Sequence, residues 1–506
     1  MSASVAEALE RVDRGPSCPV DAVPPATLPL RRRLAGFSIA VDLVCLSVAY
    51  ELALIVFAFA HRGSLPQAPI TFDWSFVVAC VVVLAVFHRL GLYRLEAYVS
   101  RPLQALLILH GAVAVLVVSS FVAFALKTPL VSDSRLTVFV TFLFFFVLTA
   151  AVRLRWLDSL YRQDVRERPG PTVVVGWFTD AGILMSRLRE LRGFADVRAL
   201  RPADRRRNGY DADLKLLEAL AAMEPAPRQV FLDGASLGHK ATLDLVRVAS
   251  ARGSDVYVTG RLVSPLDTGG LLSRLFELPA MRVRHDPGCS PPGARRVAQR
   301  AFDIVVSGVA LLLLAPLFAV IAVAIKRDSP GPVFFRQTRV GLQGKTFEFL
   351  KFRSMTAGND PTEHKEALAA FIQGEHVDEL DHVDEYGRPV YKMAADARVT
   401  RVGRVLRRYS LDELPQFWNV LRGDMSIVGP RPALPYEVEA YKPWHLLRLQ
   451  VTPGVSGLWQ VAGRSRVEFD DMVFQDVMYG MNQSLGTDVD LCLRTVPAVL
   501  MGTGAA

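Results

Sequence analysis

Four long apolar runs in the first third of the chain restrict its possible folds more than any other feature. Each run is close to the ~20 residues that an α-helix needs to cross a hydrocarbon core roughly 30 Å thick. The 506-residue chain is 51% hydrophobic and has a mean hydropathy of +0.27, which also favours membrane spans. We therefore predict an α-helical transmembrane bundle over residues 31–155, with spans at about Leu34–Ala60, Phe72–Tyr93, Leu103–Leu126 and Leu136–Val152.

The basic residues around these runs predict the orientation of the bundle, because cytoplasmic loops carry an excess of Lys and Arg. The two loops on the opposite side hold only Arg62, Lys127 and Arg135. Both ends of the bundle are therefore predicted to face the cytoplasm. Residues 1–30, rich in proline and without an apolar period, are predicted to be a disordered cytoplasmic tail. The cytoplasmic basic residues are Arg31, Arg32, Arg33, Arg89, Arg94, Arg101, Arg153, Arg155, Arg162, Arg166 and Arg168.

Two acids, Asp42 and Glu51, lie inside the first apolar run. Ionisable residues within a membrane are costly and often functional. We favour the simpler interpretation, in which they face the bundle interior or a span end as packing polar groups, over a direct functional role.

Residues 171–285 are predicted to form a soluble, Rossmann-like α/β module. Thr172–Val175 is a buried strand that enters a turn at Gly176, and Ala181–Arg192 has the pattern of an amphipathic helix. Further parallel strands are expected at Gln229–Leu232 and Asp255–Val258. Phe178 and Ala181 stand where the dinucleotide fingerprint requires glycine, so a regulatory or oligomerising role is favoured over nucleotide binding.

A proline-containing linker, residues 286–299, leads to a fifth apolar run within residues 300–326. Pro316 lies in the middle of this run, where it removes a helical hydrogen bond. Both flanks are basic, so a full crossing would put one basic cluster outside the cell. We predict a re-entrant membrane helix that bends at Pro316 and leaves by the face it entered; an ordinary kinked span is the alternative.

Charge and cysteine usage narrow the classes of partner. A formal charge of +8 fits nucleic acid, anionic lipid or phosphate-bearing substrates. Nucleic acid is disfavoured, because the basic residues flank apolar runs instead of forming one basic face. The five cysteines are scattered and indicate neither a disulfide framework nor a zinc site. His364, His376 and His382 are irregularly spaced in a solvated segment, which disfavours a metal site there.

The stretch from Ser410 to Pro432 places the adjacent acids Asp412 and Glu413 among arginines. Carboxylates held among arginines suggest a site that handles phosphate and a metal ion. Ser410 with Glu413 also has the spacing of a helix capping box, which would explain the acids without catalysis. The two interpretations are compatible, because a helix N-terminus can itself hold a phosphate.

A series of motifs over residues 295–506 resembles the bacterial sugar transferases, the monotopic polyprenyl-phosphate hexose-1-phosphate transferases. The bundle and the α/β module ahead of this region resemble the large form of that family, which begins exopolysaccharide, capsule or O-antigen synthesis. The resemblance implies an α/β catalytic domain over residues 327–506, anchored by the re-entrant helix. The matching segments are Arg300–Asp303, Pro330–Phe335, Lys351–Met355, Ser410–Gln416, Gly423–Ser426, Gly429–Pro432, Thr452–Gly454, Leu458–Gln460 and Gly463–Arg464.

The resemblance also implies a reaction. Hexose-1-phosphate would move from a UDP-hexose, glucose or galactose being favoured, to undecaprenyl phosphate at the cytoplasmic face of the bacterial inner membrane, with release of UMP. By position in the motif, Asp412 would be the nucleophile and a Mg²⁺ ligand, and Glu413 would position or deprotonate the lipid phosphate. Phosphate would be held by Arg407 and Arg431, with Lys351 and Arg353 on the adjoining strand. Apart from the resemblance, the membrane bundle and the α/β module are the candidate contacts of a homodimer.

The alternative of another class is a non-catalytic membrane scaffold or sensor for polysaccharide assembly. Such a protein would be expected to have lost the acidic pair or its arginines, and both are present. A lipid flippase is also disfavoured, because it would need more spans and no large phosphate-handling domain.

Overall fold

A computed structural model gives the fold. It describes residues 28–62, 74–93, 101–125, 135–167, 170–176, 196–201, 210–260, 280–283, 293–356, 381–383, 389–391, 399–462 and 468–500, with the isolated positions 185, 188, 189 and 372.

The N-terminal part is a bundle of long helices, as the apolar runs predict. Helix α1 lies along α4, α2 packs against α3, and α3 packs against α4. Their shared core contains Leu46, Phe87, Ile108 and Phe145, while other valines and phenylalanines of the same helices are exposed. An apolar core beneath an apolar exterior is typical of helices surrounded by lipid. The helices are α1 (Leu28–Arg62), α2 (Trp74–Arg89), α3 (Arg101–Ala125) and α4 (Arg135–Val152).

By length and apolar composition, three helical segments of the described chain could cross a membrane: Phe37–Val56, Phe139–Trp156 and Arg296–Asp328. Two shorter apolar helical segments, Phe76–His88 and Gln104–Val118, lie in the same bundle. This is the composition of a membrane protein.

A buried ion pair joins the first and last helices of the bundle. Helix α4 continues through a π-helical turn, Arg153–Leu157, into α5 (Asp158–Glu167). Within that turn, Arg153 donates to both carboxylate oxygens of Asp42, at 3.0 and 2.5 Å, and to the carbonyl of Leu92 at 3.0 Å. This contact supports the packing interpretation of Asp42. It also corrects the use of Arg153 as a loop charge, because its side chain is fully buried inside the bundle.

The α/β module contains a five-stranded sheet in the order β2-β1-β3-β4-β5. The first four strands are parallel and β5 is antiparallel to β4, so the predicted parallel strands are confirmed. The predicted helix Ala181–Arg192 lies outside the described residues except at 185, 188 and 189, which are helical. The elements are β1 (Thr172–Val175), β2 (Val197–Leu200), α6 (Tyr210–Ala221), β3 (Gln229–Asp233), α7 (His239–Ala251), β4 (Asp255–Thr259) and β5 (Ala280–Arg282).

The glycine after β1 has a structural explanation. Gly176 has a φ of +119°, and a Cβ there would lie 2.7 Å from the Cβ of Asp233 and 2.8 Å from the Oγ of Ser236. The close approach that requires glycine is therefore to the protein itself, and it needs no bound nucleotide.

Helix α8 is continuous from Gly293 to Asp328, with Pro316 inside it. It begins within the predicted linker 286–299, because the residues from Ala294 to Arg300 are good helix formers. Near its start, Asp303 accepts hydrogen bonds from the Ser426 hydroxyl and the Ile427 backbone. A bend at Pro316 stays a prediction.

The other end of α8 packs against the same domain. Ile321 and Ile325 join a buried cluster with Phe352 and Leu406. The middle of the helix is free of such packing, since Leu312 is 76% exposed.

The strand-like segments Val333–Gln337 and Phe347–Met355, on either side of a turn at Gly341, predict a strand pair at the start of the C-terminal domain. The structure confirms it as a hairpin of β6 (Phe334–Val340) and β7 (Thr346–Phe352). Another antiparallel pair, β8 (Asp381–Val383) and β9 (Pro389–Tyr391), contains His382; His364 and His376 lie outside the described residues. The remaining elements are α9 (Arg401–Arg408), α10 (Gln416–Arg422), β10 (Ser426–Val428), α11 (Pro435–Glu439), β11 (Gly454–Ser456), α12 (Leu458–Ala462), α13 (Phe469–Asn482) and α14 (Leu485–Leu500).

Candidate active site

The acidic pair lies on a short turn between α9 and α10. Helix α9 is capped by the Thr400 side chain, which accepts from the Gly403 backbone at 3.0 Å. A Cβ on Gly403 would collide with the carbonyl of Ser354, so α9 is held directly against the end of the β7 region. The chain then reverses at Ser410, whose φ of 54° is left-handed. The acids follow in a 3-10 turn, Leu411–Glu413.

The predicted capping box is wrong. The Ser410 side chain makes no capping hydrogen bond, because the left-handed backbone turns it away from the following amides. Pro415 lies just ahead of α10 and not within it, so it removes no hydrogen bond that the helix needs. The acids are therefore not there to cap a helix.

Lys351 on β7 contacts both acids. Its Nζ lies 2.8 Å from Glu413 Oε1 and 3.7 Å from Asp412 Oδ2. The ammonium also lies 5.6 Å from the ring centre of Phe349, two residues earlier on the same face of the strand. Asp412 is 8% exposed, so a half-buried lysine and a buried acid share one end of the site.

Arg431 reaches Glu413 from the Gly429–Pro432 loop. Its Nη1 lies 3.8 Å from Glu413 Oε1. The loop is held by the Arg339 guanidinium, which donates to the Pro432 carbonyl at 3.0 Å, and by Arg448, which donates to the Arg431 carbonyl at 3.4 Å. These contacts orient Arg431 without using its own guanidinium.

The two acids experience opposite electrostatic effects. Burial raises the pKa of Asp412, and Lys351 offsets part of that rise. Burial would also raise the pKa of Glu413, but Lys351 and Arg431 outweigh it and lower that pKa to about 2. Arg407 also favours ionised Asp412, since its charge lowers the pKa of that acid. Glu413 is thus fixed as an anion, and the cations around the pair leave a site that attracts further negative charge.

Asn419 fixes the distance between the acidic turn and β7. Its side chain is fully buried, accepts from the Leu350 backbone at 3.1 Å and donates to the Glu348 carbonyl at 2.7 Å. Sequence reasoning missed this residue and Arg339. An asparagine inside an otherwise apolar helical stretch is the signal that could have identified Asn419.

The Arg353 side chain binds the backbone just after α8 instead of the acidic pair. Its guanidinium donates to the carbonyls of Pro330 and Ser329, both at 2.6 Å. Gly331 has a φ of +125°, and a Cβ there would collide with this guanidinium. These contacts tie β7 to the end of α8, and a phosphate contact for Arg353 stays a prediction that they do not support.

The acidic pair is compatible with Mg²⁺ only if a ligand completes the coordination shell. Within the described residues, no group of three or more His, Cys, Asp or Glu side chains could hold a metal ion. Mg²⁺ commonly takes one or two carboxylates together with water and substrate phosphates. Asp412 offers such a carboxylate, whereas Glu413 is already bound by Lys351.

Comparison with known proteins matches residues 294–502 to a family described as bacterial sugar transferase. The exopolysaccharide production protein ExoY of Rhizobium meliloti (strain 1021) is 41% identical over 209 residues, which are 41% of this chain and 88% of that protein. The UDP-glucose:undecaprenyl-phosphate glucose-1-phosphate transferase of Caulobacter vibrioides is 39% identical over 221 residues, 42% of this chain and 73% of the relative.

A longer relative matches over the same region. The undecaprenyl-phosphate galactose phosphotransferase of Salmonella typhimurium is 38% identical over 210 residues, 42% of each chain. The acidic pair, Lys351 and Arg431 all fall within the matched region. The chain belongs to the bacterial sugar transferase family.

Proposed function

We propose that the protein transfers hexose-1-phosphate from a UDP-hexose to undecaprenyl phosphate, releases UMP and so begins the synthesis of an exopolysaccharide or related polymer. The observation that carries this proposal is the contact of Lys351 with the acidic pair, in which the ammonium lies 2.8 Å from the half-buried Glu413 and 3.7 Å from the buried Asp412. Two of the named relatives are transferases of galactose phosphate and glucose-1-phosphate to undecaprenyl phosphate, which favours these two sugars.

In the first step, an Asp412 carboxylate oxygen attacks the phosphorus that bears the sugar. A phosphorus–oxygen bond forms to Asp412, the pyrophosphate bond breaks, and UMP leaves with the electron pair. In the second step, an oxygen of undecaprenyl phosphate attacks the same phosphorus and releases Asp412. Asp412 needs no general base, because an ionised carboxylate is already the nucleophilic form and has no proton to lose.

The cations solve the main electrostatic problem, which is repulsion between Asp412 and a negatively charged pyrophosphate. Lys351 and Arg431 neutralise part of that charge and hold the phosphates in line. When bound at Asp412, Mg²⁺ would supply further charge neutralisation. Arg407, whose charge lowers the pKa of Asp412, is assigned the same kind of phosphate contact.

Glu413 is assigned to positioning. With a pKa of about 2, it remains ionised at neutral pH and is too weak a base to remove a proton efficiently. Its ion pairs with Lys351 and Arg431 instead keep two cations at fixed places in the site.

Replacing Lys351 with methionine should lower the rate of UMP release by about 10²-fold, because a preorganised cation is lost from the reacting phosphates. The matched control is Lys345→Met, an exposed lysine on the same hairpin, which should leave the rate unchanged. Initial rates at saturating UDP-hexose test this. Equal rates for the two variants would contradict the role of Lys351.

The membrane arrangement proposed here places the catalytic domain on the cytoplasmic face of the inner membrane, with four spans and a re-entrant α8. Packing of both ends of α8 on the same domain supports the re-entrant course. The test uses Ala298→Cys and Lys326→Cys, each in a background without other cysteines. Both cysteines should react with an impermeant maleimide in inverted vesicles, and neither should react when the reagent is added outside intact cells. Labelling of one site from outside would indicate a full crossing.

A UMP-release assay on the full chain in membranes tests the function. A panel of UDP-sugars is supplied with undecaprenyl phosphate and Mg²⁺, and a parallel series contains a chelator. UMP should form with UDP-glucose or UDP-galactose and should stop when divalent ions are removed. No UMP with any sugar would favour a non-catalytic scaffold or sensor.

A further inference from the structure

Gln416, the first residue of α10, has an unexplained side chain. It is 2% exposed, and its Nε2 is buried without a hydrogen-bond partner among the described residues. A buried amide that lacks a partner loses its hydration and gains nothing in return, so it destabilises the fold. Native proteins keep few such groups, and each needs a specific reason.

The backbone places Gln416 next to the acidic pair. Leu414 and Pro415, which join the 3-10 turn to α10, both have right-handed helical angles. The backbone amides of Glu413, Leu414 and Phe417 donate to carbonyls three residues earlier, so this segment turns as a 3-10 helix, in which side chains three residues apart lie on one face. Gln416 therefore lies on the face of Glu413, the residue next to Asp412. Asn419, three residues further, lies on this face too and contacts β7.

The contacts of Asn419 show what this face already has. Its oxygen and nitrogen are both used, by Leu350 and Glu348, so the packing of α10 on β7 is held by Asn419. Gln416 adds no hydrogen bond from its Nε2 to that packing. Along the chain, this unpartnered donor lies between Asn419 and the acidic turn, at which the phosphate would be attacked.

We propose that Gln416 is a substrate-binding residue whose Nε2 donates a hydrogen bond to a non-bridging oxygen of the phosphoryl group at Asp412. This inference rests on the proposed function. Negative charge on those oxygens is redistributed as the phosphorus passes between Asp412 and an oxygen of UMP or of the lipid phosphate. A buried neutral donor stabilises that charge without adding another cation, and it is already in place before the reaction.

The test is the variant Gln416→Met, which keeps the length and volume of the side chain and removes the donor. It should lower kcat for UMP release by about 10²-fold and change KM for the UDP-hexose by much less. Its melting temperature should be equal to or above that of the wild type, because an unsatisfied buried donor has been removed. Gln416→Glu, which keeps the shape but places an anion against the phosphate, should be slower still.

Gln475 on α13 supplies a matched control. It is also buried, at 4% exposure, and its Oε1 has no partner among the described residues. Because Gln475 lies on α13 and not on the segment that carries the acidic pair, Gln475→Met should retain the wild-type rate.

Three results would overturn the inference. If the wild type is active and Gln416→Met is equally active, this inference is wrong and the proposed function stands. A rate that falls together with the melting temperature, or a failure to fold, would assign Gln416 a structural role. If the wild type is inactive with every UDP-hexose, both the proposed function and this inference are wrong.

Discussion

Replacing Asp412 with asparagine should lower UMP release by at least about 10³-fold, because the amide is a poor nucleophile toward phosphorus. The substitution keeps the size of the side chain, and Lys351 keeps its shorter contact to Glu413. The fold should therefore persist while the reaction stops. The rate of UMP release from UDP-glucose and UDP-galactose, measured in purified membranes, gives the answer.

Two further acids serve as references for that result. Glu348→Gln changes an exposed acid on β7 that pairs with Arg336, and it should leave the rate unchanged. Glu413→Gln should reduce the rate by weakening the hold on Lys351 and Arg431, but by less than Asp412→Asn. Full activity in Asp412→Asn with none in Glu413→Gln would reverse the two assignments.

Replacing Asp42 with asparagine should destabilise the helical bundle by about 3–5 kcal/mol, the usual effect of removing one partner of a buried ion pair. Arg153 would keep its bond to the Leu92 carbonyl and its place beside the Phe87 ring, 5.6 Å away, but it would lose the negative charge of Asp42. The unfolding temperature of the full chain in detergent measures the loss.

The double variant Asp42→Leu with Arg153→Met should recover most of this stability, since well-packed apolar residues often replace a buried ion pair at little cost. Asp244→Asn on α7 is the surface control: it removes an exposed contact with Lys240 and should cost about 0–1 kcal/mol. An Asp42→Asn protein as stable as the control variant would mean that the pair does not hold the bundle.

The helices and strands could be predicted where the signal is local. Apolar runs of spanning length become α1 to α4, and the β6–β7 hairpin follows from two strand-like segments around glycine. The pairing of Asp42 with Arg153 joins residues 111 positions apart, and nothing local indicates it. The charge pattern predicts a cytoplasmic position for Arg153, because it cannot separate a buried arginine from a cytoplasmic one.

The site shows the same division. The sequence predicts the acids and Arg431 as site residues because their motif is contiguous. It does not predict Arg339 and Asn419, because they act through contacts that only the folded chain creates. The capping box failed because its spacing says nothing about the left-handed φ of Ser410. Arg353 lies near Lys351 in sequence, yet its guanidinium holds the carbonyls at the end of α8.

The covalent step can be measured on the protein itself. Full-length enzyme is incubated with UDP-hexose carrying a radiolabelled phosphorus next to the sugar, without undecaprenyl phosphate, and the protein is separated and digested. The mechanism predicts that the wild-type protein becomes labelled, with one UMP released for each labelled molecule. The label should lie on the peptide that contains Asp412 and should leave the protein when undecaprenyl phosphate is added. UMP that forms only when both substrates are present, with no label on the protein at any time, would contradict it.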